Sequence, residues 1–241
     1  MFPSLSKRGY LKNSKTMINI YGIGWINEEE YGCIMKGIQV YYKDNAKFDT
    51  LSKKGIFSYP FKNFGRLDKL SKITCYSAAL ALKDAGIKYS PNQKQDIGII
   101  GTNASGSLQS DINYFKDYLD SGRTLSRGNL FIYTLPTSPL AEAAIHLGLQ
   151  GPLLYAAGID KSLMPVMDMA AEMILFDEAP IMLAGMAEEN EAVYFVLARN
   201  SDSKQNILYD FAQAKEILAR DLIFSRMIKE FSTLKKEKGR K

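Results

Sequence analysis

Apolar residues recur along this chain in short blocks separated by glycine and by polar turns, and the spacing within each block assigns an element. Ile18–Ile23 and Ile38–Tyr42 read as strands, and residues 43–65, rich in Lys, Asp, Asn, Gly and Pro, read as a loop. From Leu67 to Ala85 the apolar positions Leu70, Ile73, Ala78, Leu80 and Leu82 fall on or near one helical stripe, with Gly86 as the stop. Ile97–Gly101 reads as a buried strand, Leu108–Leu119 as an amphipathic helix closed by Gly122, and Asn129–Pro136 as extended. An apolar helix over Leu140–Leu147 ends at Gly148, a strand follows at Leu153–Ala157, and a helix is expected over roughly 160–176. Pro180–Ala184 and Ala192–Ala198 read as two further strands, and 204–234 as one long terminal helix. Strands alternating with helices predict a layered α/β domain. The short turn Glu188–Glu191 predicts that the last strand forms an antiparallel edge on a mixed sheet.

Composition adds constraints. The 241 residues are 46% hydrophobic and 24% charged, ordinary for one globular α/β core. No apolar run approaches the ~18–20 residues that span a bilayer, and the N-terminus lacks the apolar block of a secretory signal. Cys33 and Cys75 form neither a disulfide framework nor a CxxC metal site, so a reducing cytoplasm is expected. The net charge of +5 raises the question of nucleic acid. Residues 1–16 hold Lys7, Arg8, Lys12 and Lys15 with no acid, and 235–241 (KKEKGRK) hold five bases and one acid. Each end therefore carries +4, and the remainder, 17–234, is left at −3. Phosphate recognition needs a basic face on the folded body. The expected organisation is a basic extension (1–16), a single domain (17–234) and a basic tail (235–241), with no nucleic-acid partner.

Familiar catalytic motifs are absent. Gly101-Thr-Asn-Ala-Ser-Gly106 has the glycine spacing of a phosphate loop but lacks the lysine, and it reads as a tight strand-to-helix turn. There is no GxSxG elbow and no HExxH. His146, the only histidine, sits near the end of an apolar helix and reads as structural. Cys75 lies in a helical stripe, and neither cysteine has the flanking cations that activate a thiolate. No metal or cofactor is expected.

The most informative stretch is Gly148–Glu189: a Gly151-Pro152 turn, a buried strand, a sharp turn at Gly158, a helix apolar almost all round, and a second buried strand ending at Ala184-Gly185. A helix of that kind lies in a large core or between subunits. In this frame the chain resembles the β-ketoacyl synthase family, of the thiolase fold. The family has a GP turn, a nucleophile cysteine eight residues after the proline, an AAE-like segment about ten residues later, and a GGAE-like turn. The matching positions are Gly151-Pro152, Asp160, Ala170-Ala171-Glu172 and Ala184-Gly185-Met186-Ala187-Glu188. Gly65–Ser71, Ala79–Gly86 and Ile97–Gly106 resemble the upstream helix, strand and glycine loop. The resemblance spans roughly residues 17–200. It implies the N-terminal half of a thiolase-like fold, with a mixed five-stranded-type sheet and a buried helix.

Two departures shape the expected function. Asp160 stands where the family has cysteine, and an acyl-carboxylate anhydride hydrolyses far more readily than a thioester. Asp160 then reads as a helix N-cap, with Ser162 a rival because Pro165 fits only a first helical turn. The family's active-site histidines belong to a C-terminal half that this chain ends before reaching. The resemblance thus implies a non-catalytic, truncated chain length factor, most similar to those of aryl polyene and flexirubin-type synthesis. It would form a heterodimer with an active ketosynthase, and through it serve an acyl carrier protein. By position in the family, Tyr133, Thr134, Leu135, Pro136 and Thr137 line the acyl tunnel, and Leu153, Leu154, Tyr155 and Ala156 pair across the dimer axis. Two alternatives stand beside it: a small acyl-processing hydrolase or decarboxylase using Asp160, and a homodimer that binds acyl carrier protein.

Overall fold

The computed structural model describes residues 17–42, 53–124, 127–158, 162–200 and 207–238. In chain order the elements are β1 (Ile18–Ile26), β2 (Glu30–Cys33), β3 (Ile38–Tyr41), α1 (Lys53–Ile56), α2 (Lys69–Asp84), β4 (Ile97–Thr102) and α3 (Leu108–Asp120). They continue with α4 (Gly128–Phe131), α5 (Ser138–Leu147), β5 (Leu153–Tyr155), α6 (Leu163–Leu175), β6 (Ile181–Ala187) and β7 (Ala192–Arg199). The last are β8 (Tyr209–Asp210), α7 (Phe211–Leu218) and α8 (Phe224–Lys238). One sheet runs in the order β3-β2-β1-β7-β6-β4-β5, with β8 also paired to β1. The unit β5-β4-β6-β7-β1 is the five-stranded mixed sheet the resemblance implies; β2, β3 and β8 extend it.

The sheet corrects the expectation about its last strand. β7 is antiparallel to β6, as the tight turn requires, but it is central, because β1 pairs antiparallel along its other edge. Its side chains explain the placement. Val193, Phe195 and Leu197 face one apolar cluster, while Tyr194 and Val196 face the other. A strand buried on both faces needs neighbours on both edges to satisfy its backbone.

Helices cover both faces. α2 and α5 pack on one, with the ring cluster Phe57, Phe61, Phe64 and Tyr76; α6, α7 and α8 pack on the other. α2 begins at Asp68, whose carboxylate accepts from Ser71 N at 2.8 Å. It lies so close to β1 that a Cβ built on Gly24 would fall 2.1 Å from Ala81 N. At its far end the buried Asp84 carboxylate accepts from the backbone N–H groups of Ile23 (2.8 Å), Met35 (2.9 Å) and Lys36 (2.9 Å). Burial raises its pKa above the ordinary 3.8, against the lowering effect of those three hydrogen bonds.

Three other expectations change. Of the single helix expected over 204–234, residues 204–206 lie outside the described residues, and the rest holds β8, α7 and α8, broken where Asp221 turns left-handed at φ 46°. The break lets both apolar stripes, Ala214/Ile217 and Met227/Ile228/Phe231, lie on one sheet face. Lys235, inside α8, donates to the carbonyls of Ile34 (2.8 Å) and Met35. Asn129–Pro136 is not extended: α4 and a 3-10 turn at Ile132–Thr134 occupy it, with the Thr134 hydroxyl donating to Phe131 O at 2.7 Å. Among the described residues no strand pairs with that segment. Cys33, which the apolar pattern leaves unplaced, is buried on β2, and the sequence loop 43–65 contains α1 and a 3-10 turn at Phe64–Arg66.

Candidate functional site

On either side of the region that resembles a nucleophile elbow the described residues form a strand and a helix, as the sequence suggests. β5 leads to Gly158, left-handed at φ 72°, and α6 starts after Ser162, whose side chain makes no capping bond. Asp160, with Ile159 and Lys161, lies outside the described residues. On α6, Val166, Met167, Ala170 and Ile174 are buried against the sheet, while Met169, Leu175 and Phe176 are exposed. The all-round apolar pattern therefore resolves into one buried face and one open one. Arg199 closes the helix C-terminus, donating to Ile174 O at 2.7 Å and Leu175 O at 2.8 Å and pairing with Asp177 at 2.7 Å.

A cavity of about 580 Å³ opens in front of the start of α6, walled by Leu163, Met186 and the α7–α8 corner, including Ile217, Leu222 and Met227. Its polar groups are Asn27, Ser162, Glu191, Asp221 and Ser225. His146 is in the opposite layer, on α5. Its ring stacks on Phe61 at 3.8 Å between centroids and lies 3.5 Å from Glu142, and burial lowers its pKa. Both cysteines are buried, and burial raises their thiol pKa values, that of Cys33 to about 12. Among the described residues no cluster of three His, Cys, Asp or Glu side chains could hold a metal.

In the glycine loop after β4 two backbone donors are already engaged. Ala104 N–H donates to Glu188 Oε1 at 2.7 Å, and Gly106 N–H donates to Asn103 Oδ1 at 2.8 Å. Those two donors are taken by the chain's own acceptors, where a phosphate loop would leave them for its ligand.

Both segments singled out for partner contact are tied to the head of α3, Tyr155 through Asn103 and Thr134 through Ser107. β5 hydrogen-bonds only to β4 among the described strands, so its other edge is open. Leu154 is exposed on it, Leu153 and Tyr155 are half-buried, and Ala156 is buried. Leu135 and Thr137 are exposed; Tyr133, Thr134 and Pro136 are half-buried. Beside them stands a feature the sequence reading left out of the site. α3 buries none of its thirteen residues, and Leu108, Ile112, Phe115 and Leu119 form an exposed stripe. Phe131, Ile132 and Ile145 add exposed apolar surface on the elements around it. The stripe's 4-3-4 spacing was legible, but an amphipathic helix is ordinarily turned inward, and nothing local marks this one as turned outward.

No protein-family model matches the sequence, and no curated protein matches it. Solved structures do. The β-ketoacyl synthase from Burkholderia phymatum superposes with a TM-score of 0.56 at 16% identity, covering 81% of this chain and 62% of that one. The ishigamide ketosynthase/chain length factor gives 0.61 at 12% identity, over 82% of this chain and 62% of that one. A type II polyketide synthase acyl-carrier protein in complex with its ketosynthase, bound to the hexaketide, gives 0.56 at 15%, again over 82% and 62%. At these identities the likeness is one of fold: a ketosynthase-type, thiolase-like α/β architecture spanning about 62% of those proteins' length.

Proposed function

We propose that this chain is a ketosynthase-like subunit that takes no acyl group itself and pairs with an active β-ketoacyl synthase. The observation that carries the reading is α3. A thirteen-residue helix with no buried residue and an apolar stripe toward solvent is a helix waiting for cover. The loop that begins it is hydrogen-bonded to β5 through Tyr155, the outer edge of β5 is open, and an open strand edge is a template for a partner strand. An active ketosynthase of the same fold presents a matching edge. Asp160 at the nucleophile position and the likeness to a ketosynthase/chain length factor structure support a partner that does the chemistry. In the finer form of the proposal, the complex elongates an acyl chain delivered by an acyl carrier protein. This subunit helps set its length, in cytoplasmic synthesis of an aryl polyene or flexirubin-type pigment.

The test is co-expression with an active β-ketoacyl synthase from the same organism, followed by sizing and product analysis. A one-to-one complex, and products whose length changes when this chain is omitted, are expected. No complex, together with unchanged products from the ketosynthase alone, would end the proposal. Asp160→Asn should leave complex and products intact. A second reading, a homodimer, draws on the same open edge, because an isologous two-fold interface is self-complementary. Sizing of the isolated chain decides between them.

A further inference from the structure

What holds α3 in place is not packing. It has no buried residue, and its ring contact Tyr114–Phe131, 5.6 Å between centroids, is to the equally exposed α4 segment. A helix of this length is marginal in water without tertiary support. The support visible here is largely polar: near its C-terminal end Asp117 accepts from Arg127 N at 2.8 Å and pairs with the Arg127 guanidinium at 2.7 Å, and at its head a second set of bonds gathers on the loop between β4 and α3. Asn103, 8% exposed, accepts at Oδ1 from the Tyr155 hydroxyl at 2.7 Å and from Gly106 N–H at 2.8 Å, and its Nδ2 donates to Gly106 O at 3.0 Å. Ser107 follows at once. Its hydroxyl lies 2.7 Å from Thr134 O and 3.1 Å from Asp111 Oδ2, so its one proton ties the start of α3 to the 131–135 segment or to its own first turn. One turn later, the Ser110 hydroxyl donates to Asp68 Oδ2 at 3.0 Å, the same carboxylate that caps α2.

We infer that Asn103 is a positioning residue. Through Tyr155 on β5 and Gly106–Ser107 at the head of α3, it aligns the apolar stripe of α3 with the open edge of β5, so that the two form one docking face. The bonds run from the edge strand to the helix through a single side-chain amide. A change at either end therefore moves the two halves of the face relative to each other without touching the core. The inference rests on the reading of that face as the partner interface, and it adds which residues build it.

Hydrogen–deuterium exchange on the isolated full chain, with Tyr155→Phe and Asn103→Ala, tests the clasp directly. Tyr155→Phe removes one hydroxyl and keeps the ring, so the urea midpoint should hold. Amide exchange across 108–120 and 131–135 should quicken roughly fivefold, the factor that one lost neutral hydrogen bond is worth. Asn103→Ala, which loses three bonds, should quicken the same segments further, while α2 and β7 stay at the wild-type rate. Unchanged exchange in α3 for Tyr155→Phe would overturn the inference, whatever Asn103→Ala does to folding. Titration with the co-expressed ketosynthase is the second readout. Tyr155→Phe should weaken that complex several-fold, and an unaltered affinity would also overturn the inference. If the wild-type chain forms no complex, the proposed function fails while the exchange result still decides whether the clasp exists.

Discussion

Replacing Asp84 by alanine should cost this protein about 3 kcal/mol of stability. The carboxylate is 3% exposed and is the acceptor for three backbone N–H groups, one on β1 and two in the turn between β2 and β3. A buried donor left without a partner costs about 1–3 kcal/mol. Ile23 lies on a fully buried strand and should take about 2–3 kcal/mol of that penalty. Met35 and Lys36 lie where water reaches more easily and should cost about 0.5–1 kcal/mol each. Against this, removing the buried carboxylate relieves the part of its desolvation penalty that the three hydrogen bonds leave uncompensated. Urea denaturation at pH 7, followed by Trp25 fluorescence, would measure the difference. Asp84→Asn should fall between, because its oxygen can serve Ile23 and Met35 while its amide group faces the Lys36 N–H donor. The folded pKa of Asp84 is raised above the unfolded one, so the folded state holds the proton more tightly. The wild type should therefore gain stability relative to Asp84→Asn as pH falls through the folded value, and lose it as pH rises. A loss below about 1 kcal/mol for the alanine variant would refute the assignment of this carboxylate as the shared acceptor of β1 and the β2–β3 turn.

Phe115→Ser should change the isolated chain's stability by less than about 0.5 kcal/mol, since the ring is exposed, yet weaken the ketosynthase complex tenfold or more, by about 1.5–3 kcal/mol. Isothermal titration beside a urea melt separates the two, and equal affinity would place the interface elsewhere. Gly24→Ala should cost more than about 3 kcal/mol or leave the protein in inclusion bodies, because the new methyl meets the α2 backbone and not a yielding side chain; a wild-type melting point would contradict the close approach. His146 is held below its ordinary 6.5 by burial, so the stability tied to its neutral form is present above pH 6.5 and lost as pH falls through 6.5 toward the folded value. His146→Phe, which keeps the stack on Phe61, should flatten the stability profile in that window, and an unchanged slope would point to another group.

Much of the fold was legible because its signals are local. β4 and β6 are apolar runs, α2 and α5 are stripes ended by glycine, and the Gly158 turn lies between a strand and a helix. The order of these pieces supported the thiolase-like reading, and the structural likenesses bear out that fold. What could not be read locally were relations between distant segments. β7 looked like an edge because its tight turn names one neighbour; β1, far away in sequence, supplies the other. The terminal segment looked like one helix because its apolar periodicity runs on past Asp221; the left-handed turn there lets α7 and α8 both pack on the same cluster. The outward face of α3 was hidden for the same reason: periodicity shows that a helix has an apolar side, and only packing decides what, if anything, covers it.

By itself, then, the sequence determined the α/β class, the elbow frame ending at Asp160, and the segments 133–137 and 153–156 as candidates for contact. The tertiary structure decided that both segments are tied to the head of α3, a helix with no buried residue, through Asn103 and Ser107. The physical reason is that apolar periodicity is a property of a few consecutive residues, whereas a surface is assembled from residues that only folding brings together.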